Sequence, residues 1–375
     1  MTPDYKTHSV PFFNYPHVFM SQEEAFLTIF REVGRRGAFI MQRDLMEFEK
    51  NLAAFTGAKY AVGVGNATDA LQIGLMAGGV GPGDEVIFCS HTMVATAAAI
   101  HFSGAKPVPV EAGPDHLIDP RKIEVAITSR TRAIMPTQLN GRTTNMDSIM
   151  GIAKKHGLDV YEDAAQALGS KFMGQCAGTF GKASCISFYP AKVLGCFGDG
   201  GAVLTNDEGT YQKILALHDH GRDQSGEIVM WGMNSRLDNV QAALLDYQLK
   251  EYAEVMERRR AVARHYKERL GRLDELVLPP GPDNDPDHFD VYQNYEIEAE
   301  RRDELQAYLK ERGVGTLVQW GGTAVHQFKK LGFSQSLPYT EKLLEHMLMI
   351  PMNMSLTDDD VNYVCDRVIE FYRPR

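Results

Sequence analysis

Apolar runs of strand length alternate with amphipathic helical stretches through the first half of the chain. Residues 44–57 place Leu45, Phe48, Leu52 and Phe55 on one helical stripe. The predicted strands that follow are residues 59–65, 85–90, 106–112, 132–139 and 158–164, and the predicted helices between them are 67–79, 94–104 and 146–157. Short apolar strands separated by helices are typical of a largely parallel sheet covered by helices on both faces.

The pattern changes in the last third of the chain. The first forty residues carry aromatic side chains without a clear period, whereas residues 237–270 predict one long helical stretch and residues 291–299 a strand. We therefore predict an α/β fold in two parts. A large α/β domain, including an N-terminal arm, covers residues 1–245, and a small α+β domain covers residues 246–375.

Composition and charge restrict the classes of function. The 375 residues are 44% hydrophobic and 23% charged, which excludes wholesale disorder. The net charge of −10 argues against binding to nucleic acid, since that affinity depends on clustered Lys and Arg. A small anionic ligand held by a few local groups fits this charge.

Cysteine usage and hydropathy predict a cytoplasmic protein that does not bind membranes. The five cysteines form no CxxC pair and no Cys/His pair at zinc spacing, so neither a disulfide framework nor a metal site is expected. The sequence starts without the pattern of a secretory signal. The most apolar stretch, residues 93–102, is about half the length that a membrane-spanning helix needs.

The segment 187–207 contains a lysine in apolar surroundings. Its sequence SFYPAKVLGCFGDGGAVLTND predicts two strands joined by a glycine-rich connection that holds Lys192. An apolar environment lowers the proton affinity of a lysine amine and makes it available for Schiff-base formation. Taken alone, such a lysine is more often one whose tip reaches solvent, so it needs partner groups to indicate chemistry.

Polar groups follow two of the predicted strands. Asp163 ends an apolar strand at the edge where α/β sheets bind ligands, so it could pair with a protonated ring nitrogen or merely cap the next helix. Gln166, three residues later, could contact the same ligand. The segment GVGNATDAL (63–71) joins a strand to a helix, and its N–H groups predict a site for one phosphate, with Ser187 as a second donor.

These groups together match the needs of one cofactor. A Schiff-base amine, a carboxylate for a ring nitrogen and a phosphate site are what pyridoxal 5′-phosphate (PLP) requires. A nicotinamide enzyme is disfavoured because Thr68 stands where the third glycine of a dinucleotide fingerprint belongs.

Four segments, GNATDAL, EDAAQALGS, SFYPAKVLGCFGDGGAVLTND and WGMNSRLDNVQAALL, resemble the DegT/DnrJ family of sugar aminotransferases. The resemblance runs from about residue 41 to about residue 361 and implies the fold of a fold-type I PLP-dependent enzyme. Some family members carry His at the lysine position and act as sugar dehydratases. Lys192 therefore favours transamination in this chain.

The resemblance implies a role for each matching position. Lys192 would form the Schiff base with PLP and move the proton during catalysis. Asp163 would keep the pyridine nitrogen protonated, and Gln166 would lie near the ring oxygen.

The phosphate would be bound by the backbone of Ala67, by Thr68 and by Ser187. Asn234 matches an Asn that the family contributes from the partner subunit, which implies a homodimer with a shared active site.

Two positions depart from the family pattern. Met93 stands where the family usually has an aromatic residue against the pyridine ring, and His91 lies two residues earlier. Either side chain could cover the ring, and the sequence does not choose between them. Ala67 stands where family members generally have Gly.

Substrate contacts are less defined by the sequence. His220, Arg222, Arg236 and His326 match regions that line the family's substrate cleft, and His91 is a further candidate. The two arginines could bind an anionic substrate or equally form structural ion pairs.

The resemblance implies a ping-pong transfer of an amino group from L-glutamate to a keto-sugar, with a nucleotide-linked sugar as the expected acceptor. Two alternatives remain at this point. The acceptor could be a cyclitol or an unlinked keto-sugar phosphate, or the chain could be a PLP-fold binding protein without turnover.

Overall fold

The computed structural model describes residues 8–373. Its helices are α1 (Tyr15–Met20), α2 (Glu23–Arg36), α3 (Arg43–Thr56), α4 (Ala67–Ala77), α5 (Val94–Phe102), α6 (Pro120–Ile123), α7 (Met146–His156), α8 (Glu208–His218), α9 (Asn239–Leu249), α10 (Tyr252–Leu270), α11 (Arg302–Glu311), α12 (Pro338–His346) and α13 (Asp358–Tyr372). Its strands are β1 (Tyr60–Val64), β2 (Glu85–Cys89), β3 (Lys106–Val110), β4 (Thr131–Met135), β5 (Asp159–Asp163), β6 (Lys171–Phe172), β7 (Gln175–Cys176), β8 (Ala183–Ser187), β9 (Gly201–Thr205), β10 (Leu276–Val277), β11 (His288–Phe289), β12 (Tyr295–Ala299) and β13 (Met347–Ile350).

A seven-stranded sheet forms the centre of the larger part, in the order β1-β9-β8-β5-β4-β2-β3. Neighbouring strands from β3 through β8 run parallel, while β9 is antiparallel to both β8 and β1. Strands β2, β8 and β9 are buried along their whole length, as expected for a sheet covered on both faces. The prediction of an α/β fold with a mostly parallel sheet is confirmed.

The C-terminal part contains a smaller antiparallel sheet, β10-β12-β13, which packs with α10, α11 and α13. Val10 from the N-terminal arm is fully buried in the same cluster. The predicted boundary after residue 245 lies within α9. Hydrophobic packing passes from one part to the other inside α10, where Met256 belongs to a cluster of the large sheet and Tyr266 to that of the small sheet. The boundary itself stays a prediction.

Some predicted elements differ from the observed ones. The N-terminal arm contains α1 and α2, although its sequence showed no clear period. Only Phe26 and Val33 of α2 are buried, and Phe26 packs edge-on against Phe197 at 5.0 Å between ring centroids. The stretch 237–270 forms two helices rather than one, because Glu251 has a non-helical backbone (φ −101°, ψ 3°).

The strand predicted from residue 291 begins only at Tyr295. Tyr292 has a positive φ of 51°, which is incompatible with an extended strand, and the chain turns there before it enters β12.

The cysteines and the helices bear on features considered in the sequence. All five cysteines are buried free thiols. Among residues 8–373, no helix combines the length and apolar character needed to cross a membrane.

The stripe predicted on residues 44–57 packs α3 over the large sheet. Leu45, Phe48 and Leu52 are all buried. Phe48 meets Phe188 edge to face, with 5.3 Å between ring centroids. Phe188 directly follows β8 and precedes Lys192 by four residues, so this aromatic pair supports the start of the lysine segment.

Replacing Phe48 with Ala should lower the free energy of unfolding by about 3–5 kcal/mol, because the change removes a fully buried ring and leaves a cavity. Phe102→Ala is the matched control, since Phe102 is 65% exposed, and should change that free energy by about 0.5 kcal/mol or less. Chemical denaturation followed by circular dichroism measures both. Equal losses in the two variants would contradict this description of the core.

Candidate active site

The sheet register brings the predicted site groups to one edge. Ser187 at the end of β8 is paired with Gly201, and Gly201 is paired with Val64 at the end of β1. On the other side of β8, Asp163 at the end of β5 is paired with Cys185. Three strand ends therefore gather the start of α4, Ser187 and Asp163 along the same edge of the sheet.

The start of α4 presents free backbone donors. Asn66 caps the helix, and its side chain accepts a hydrogen bond from the N–H of Asp69 at 2.9 Å. The N–H groups of Ala67 and Thr68 lie in the first turn, where helix geometry provides no intrahelical acceptor. These donors and the positive end of the helix dipole form a site suited to an anion.

Neighbouring residues fix the position of this helix start. A Cβ atom at Gly201 would lie 2.5 Å from the carbonyl carbon of Asn66, so only glycine lets β9 approach this closely. The hydroxyl of Ser235 accepts from the N–H of Gly65 at 3.0 Å and donates to Asp69 at 2.6 Å. The segment that contains Asn234 is thereby tied to the helix start.

Asp163 is a buried carboxylate with three donors. Thr96 Oγ1 donates to Oδ2 at 2.7 Å, and the N–H of Ala165 donates to Oδ1 at 3.2 Å. Cys185 Sγ lies 3.4 Å from Oδ1. Burial, together with the nearby carboxylate, raises the pKa of the Cys185 thiol well above its usual value, so the thiol keeps its proton and can donate it in this hydrogen bond. The carboxylate is fixed in orientation.

The small sheet helps to hold the lysine segment. Gln293 lies just before β12 and brackets Lys192: its Oε1 accepts from the N–H of Val193 at 3.0 Å, and its Nε2 donates to the carbonyl of Ala191 at 2.9 Å. Burial lowers the pKa of the Lys192 amine, although the nearby Asp163 opposes this shift. A larger fraction of the amine is therefore neutral and nucleophilic near neutral pH than in a solvated lysine.

Gln166 is oriented by backbone and side-chain donors. Its Oε1 accepts from the N–H of Asn140 at 2.9 Å and from Asn294 Nδ2 at 3.3 Å. With the oxygen engaged in this way, the amide nitrogen of Gln166 is the end left to contact a ligand.

Met93 and His91, the two candidates for contact with the face of a cofactor ring, differ in their exposure. Met93 caps α5 three residues before Thr96 and is 49% exposed. His91 is fully buried, with Nε2 3.4 Å from Glu296 Oε1 and its ring edge-on to Trp320. Of the two side chains, Met93 is the one with surface available to a ligand.

The predicted substrate arginines share one carboxylate. Arg236 Nη1 lies 3.0 Å from Asp219, and Arg222 Nε lies 3.7 Å from the same side chain. His220 and Asn234 are exposed on the adjacent segments. The ion-pair alternative describes the arginines in this structure, and their contact with substrate stays a prediction.

His326 is fully buried and has both ring nitrogens engaged. Nδ1 lies 2.7 Å from the hydroxyl of Ser90, and Nε2 lies 3.0 Å from Glu341. A substrate contact through this ring would require one of these hydrogen bonds to open.

Several residues around the site were not found from the sequence. Asn140 follows β4 at the carboxyl edge of the sheet, and that position was a usable signal. Thr96, Gln293 and Asn294 reach the site only through long-range packing, for which the local pattern gives no signal.

Comparisons with known proteins identify the family of the chain. A profile of the DegT/DnrJ/EryC1/StrS aminotransferase family matches residues 20–369. A Geobacillus stearothermophilus protein named "Pleiotropic regulatory protein" is 39% identical over 97% of this chain and 99% of its own length. A Streptomyces venezuelae dTDP-3-amino-3,4,6-trideoxy-alpha-D-glucose transaminase is 39% identical over 89% of both chains.

Solved structures show the same similarity. The crystal structure of S. venezuelae DesV in complex with a ketimine intermediate has a TM-score of 0.94 and 37% identity, and it covers 98% of this chain and 100% of the DesV chain. The structure of NtdA from Bacillus subtilis, with bound cofactor PMP, has a TM-score of 0.90 and 29% identity, covering 98% of this chain and 86% of that chain.

The donors at the start of α4, the Asp163 carboxylate and the Lys192 amine fit the phosphate, ring nitrogen and aldehyde of PLP. Family, fold and site agree: the chain belongs to the DegT/DnrJ/EryC1/StrS aminotransferase family and is a PLP-dependent aminotransferase.

Proposed function

We propose that this enzyme works in the cytoplasm as a homodimer and transfers an amino group from L-glutamate to a nucleotide-linked keto-sugar in a ping-pong reaction. The observation that carries the proposal is the strand register that brings the start of α4, Ser187 and Asp163 to one edge of the sheet, beside the segment that holds Lys192. The sugar acceptor is supported by relatives. Besides the dTDP-sugar transaminase, a Pseudomonas aeruginosa protein named UDP-2-acetamido-2-deoxy-3-oxo-D-glucuronate aminotransferase is 38% identical over 89% of this chain and 92% of its own length.

Lys192 and Asp163 have complementary tasks in this reaction. When bound, PLP supplies an electrophilic carbon and an electron sink for the amino transfer. Lys192 Nζ would hold the cofactor covalently and would move the proton at the substrate carbon. Asp163 would keep the ring nitrogen protonated, and Thr96 and Cys185 hold its carboxylate in place.

The other cofactor contacts that we propose involve Gln166, Met93 and the hydrogen-bond donors at the start of α4. The amide nitrogen of Gln166 would contact the ring oxygen, and the Met93 thioether would pack against the ring. The N–H groups of Ala67 and Thr68, the Thr68 hydroxyl and Ser187 would hold the phosphate.

We propose two separate substrate features, local positive charge beside Asn234 and a cavity lined in part by Lys192. Arg222 and Arg236 supply cations in a chain of net charge −10, and Asp219 holds them near Asn234. A cavity of about 540 Å³ adjoins Lys192 between the N-terminal helices, the lysine segment and α10. Direct substrate contacts of His91 and His326 stay predictions, since both rings are fully buried.

A nucleotide-linked acceptor should be preferred over its unlinked counterpart. We expect kcat/KM for a dTDP- or UDP-linked keto-sugar to exceed that for the corresponding keto-sugar phosphate by about 10²-fold or more, since binding energy from the nucleotide can be used in the transition state. Steady-state assays with L-glutamate as donor measure both. Equal or higher kcat/KM for the unlinked sugar or for a cyclitol would contradict the nucleotide-sugar assignment and favour that alternative.

The shared active site predicts complementation between an inactive variant and an impaired one. Lys192→Ala should abolish turnover, and Asn234→Ala should weaken cofactor binding and activity because each site needs Asn234 of the partner subunit. After mixed refolding of equal amounts, about a quarter of the sites should contain both intact residues by random pairing. The activity of the mixture measures this fraction.

The matched control is a mixture of Lys192→Ala with the double variant Lys192→Ala/Asn234→Ala. Neither chain in this mixture has an intact lysine, so no activity should be restored. A mixture of the two single variants that is no more active than the sum of its separate components would contradict the shared site.

A further inference from the structure

A buried carboxylate joins the small sheet to the edge of the large one. Glu296 on β12 has a side chain that is 1% exposed, and three nitrogen atoms converge on its Oε1. His116 Nδ1 lies 2.8 Å away, Asn140 Nδ2 3.1 Å and His91 Nε2 3.4 Å. None of these contacts is used in the amino-transfer chemistry described above.

His116 supplies the charge that balances this carboxylate. Its second ring nitrogen, Nε2, lies 3.2 Å from Glu298 Oε1, so both ring nitrogens face carboxylates. Burial alone would lower the pKa of His116, but its bonds to Glu296 and Glu298 outweigh burial and raise the pKa to about 9. Burial would raise the pKa of Glu296, but the two histidines lower it to about 2. At neutral pH the group is an imidazolium–carboxylate pair.

Glu296 in turn fixes the amide of Asn140. Because Asn140 Nδ2 donates to Glu296, its Oδ1 faces the opposite way and accepts from Asn294 Nδ2 at 2.9 Å and Gln319 Nε2 at 2.8 Å. The Asn140 N–H and Asn294 Nδ2 both donate to Gln166 Oε1. A continuous chain of hydrogen bonds therefore leads from His116 to Gln166.

His91, His116 and Glu296 are also residue types that bind metal ions. Atoms of His91, His116 and Glu296 lie within 4.8 Å of one another. However, both ring nitrogens of His116 already face carboxylates, and Glu296 Oε1 already has nitrogen atoms of His116, Asn140 and His91 within hydrogen-bond distance. This is the pattern of a hydrogen-bonded anion, so the group is assigned as an ion pair.

We propose that His116 is a positioning residue for the cofactor site. Its charge keeps Glu296 as a carboxylate, Glu296 sets the orientation of Asn140, and Asn140 with Asn294 turns the amide nitrogen of Gln166 toward the cofactor. The inference rests on the proposed contact between Gln166 and the cofactor ring oxygen.

The pH midpoint of the cofactor's visible absorbance band in the holoenzyme tests this chain. His116→Asn removes the charge, and Asn tolerates the positive φ of 65° at this position. We expect the midpoint to shift by about 0.5–1 pH unit, in the same direction as in Gln166→Ala. The double variant should shift no further than Gln166→Ala alone, since the effect passes through Gln166.

Two further variants complete the design. His156→Asn is the matched control, because His156 pairs with the exposed Glu124 at the surface and its loss should leave the midpoint unchanged. If His116→Asn fails to fold, Asn140→Gly serves as a second variant. It breaks the hydrogen bond between Asn140 and Glu296 without removing a charge, and glycine accepts the φ of 56° at this position. It carries the same expected shift.

A lowered melting temperature of His116→Asn with an unshifted midpoint would overturn the proposal and make His116 purely structural. Additive shifts in the double variant would also overturn it. If Gln166→Ala leaves the midpoint unchanged, both the Gln166 contact and this inference fail. The amino-transfer assays with nucleotide-linked sugars report independently on the proposed function in that case.

Discussion

The Lys192 amine depends on a balance between burial and a nearby carboxylate. Removal from water disfavours its protonated form, and Asp163 partly compensates, so the pKa is lowered while the two groups stay close together. This balance depends on how the surrounding side chains hold the lysine segment and the carboxylate. The aromatic pair of Phe48 and Phe188 supplies the apolar support, and Gln293 fixes the backbone on both sides of the lysine.

The small sheet is part of the active site in this arrangement. Within four residues, Gln293 holds the lysine segment, Asn294 holds Gln166, and Glu296 holds Asn140. A displacement of β12 relative to the large sheet would therefore alter the lysine and the Gln166 amide together. Through these contacts, the C-terminal part helps to position the residues of the proposed cofactor site.

Much of the large sheet and of the site edge could be predicted from sequence because both depend on local patterns. The end of β5 at Asp163, the helix start at Ala67 and the strand–loop–strand around Lys192 are readable from hydrophobic runs and glycines. The N-terminal helices were missed because α2 buries so few of its residues.

The partners of the site residues could not be predicted in the same way. Thr96 and Gln293 are 67 and 100 residues from the groups that they bind, and such contacts depend on tertiary packing. The burial of His326 has the same origin, since Ser90 is 236 residues away in sequence. Residue type and family resemblance suggested a cleft position for this histidine, whereas long-range packing determines what its ring contacts.

The visible absorbance spectrum of the purified protein, recorded with PLP before and after addition of L-glutamate, tests the central claim most directly. If Lys192 binds the cofactor and the first half of amino transfer proceeds, the protein should show the band of covalently bound PLP, and glutamate should convert it to that of the aminated cofactor. A protein that takes up no PLP, or whose band is unchanged by glutamate, would contradict the account.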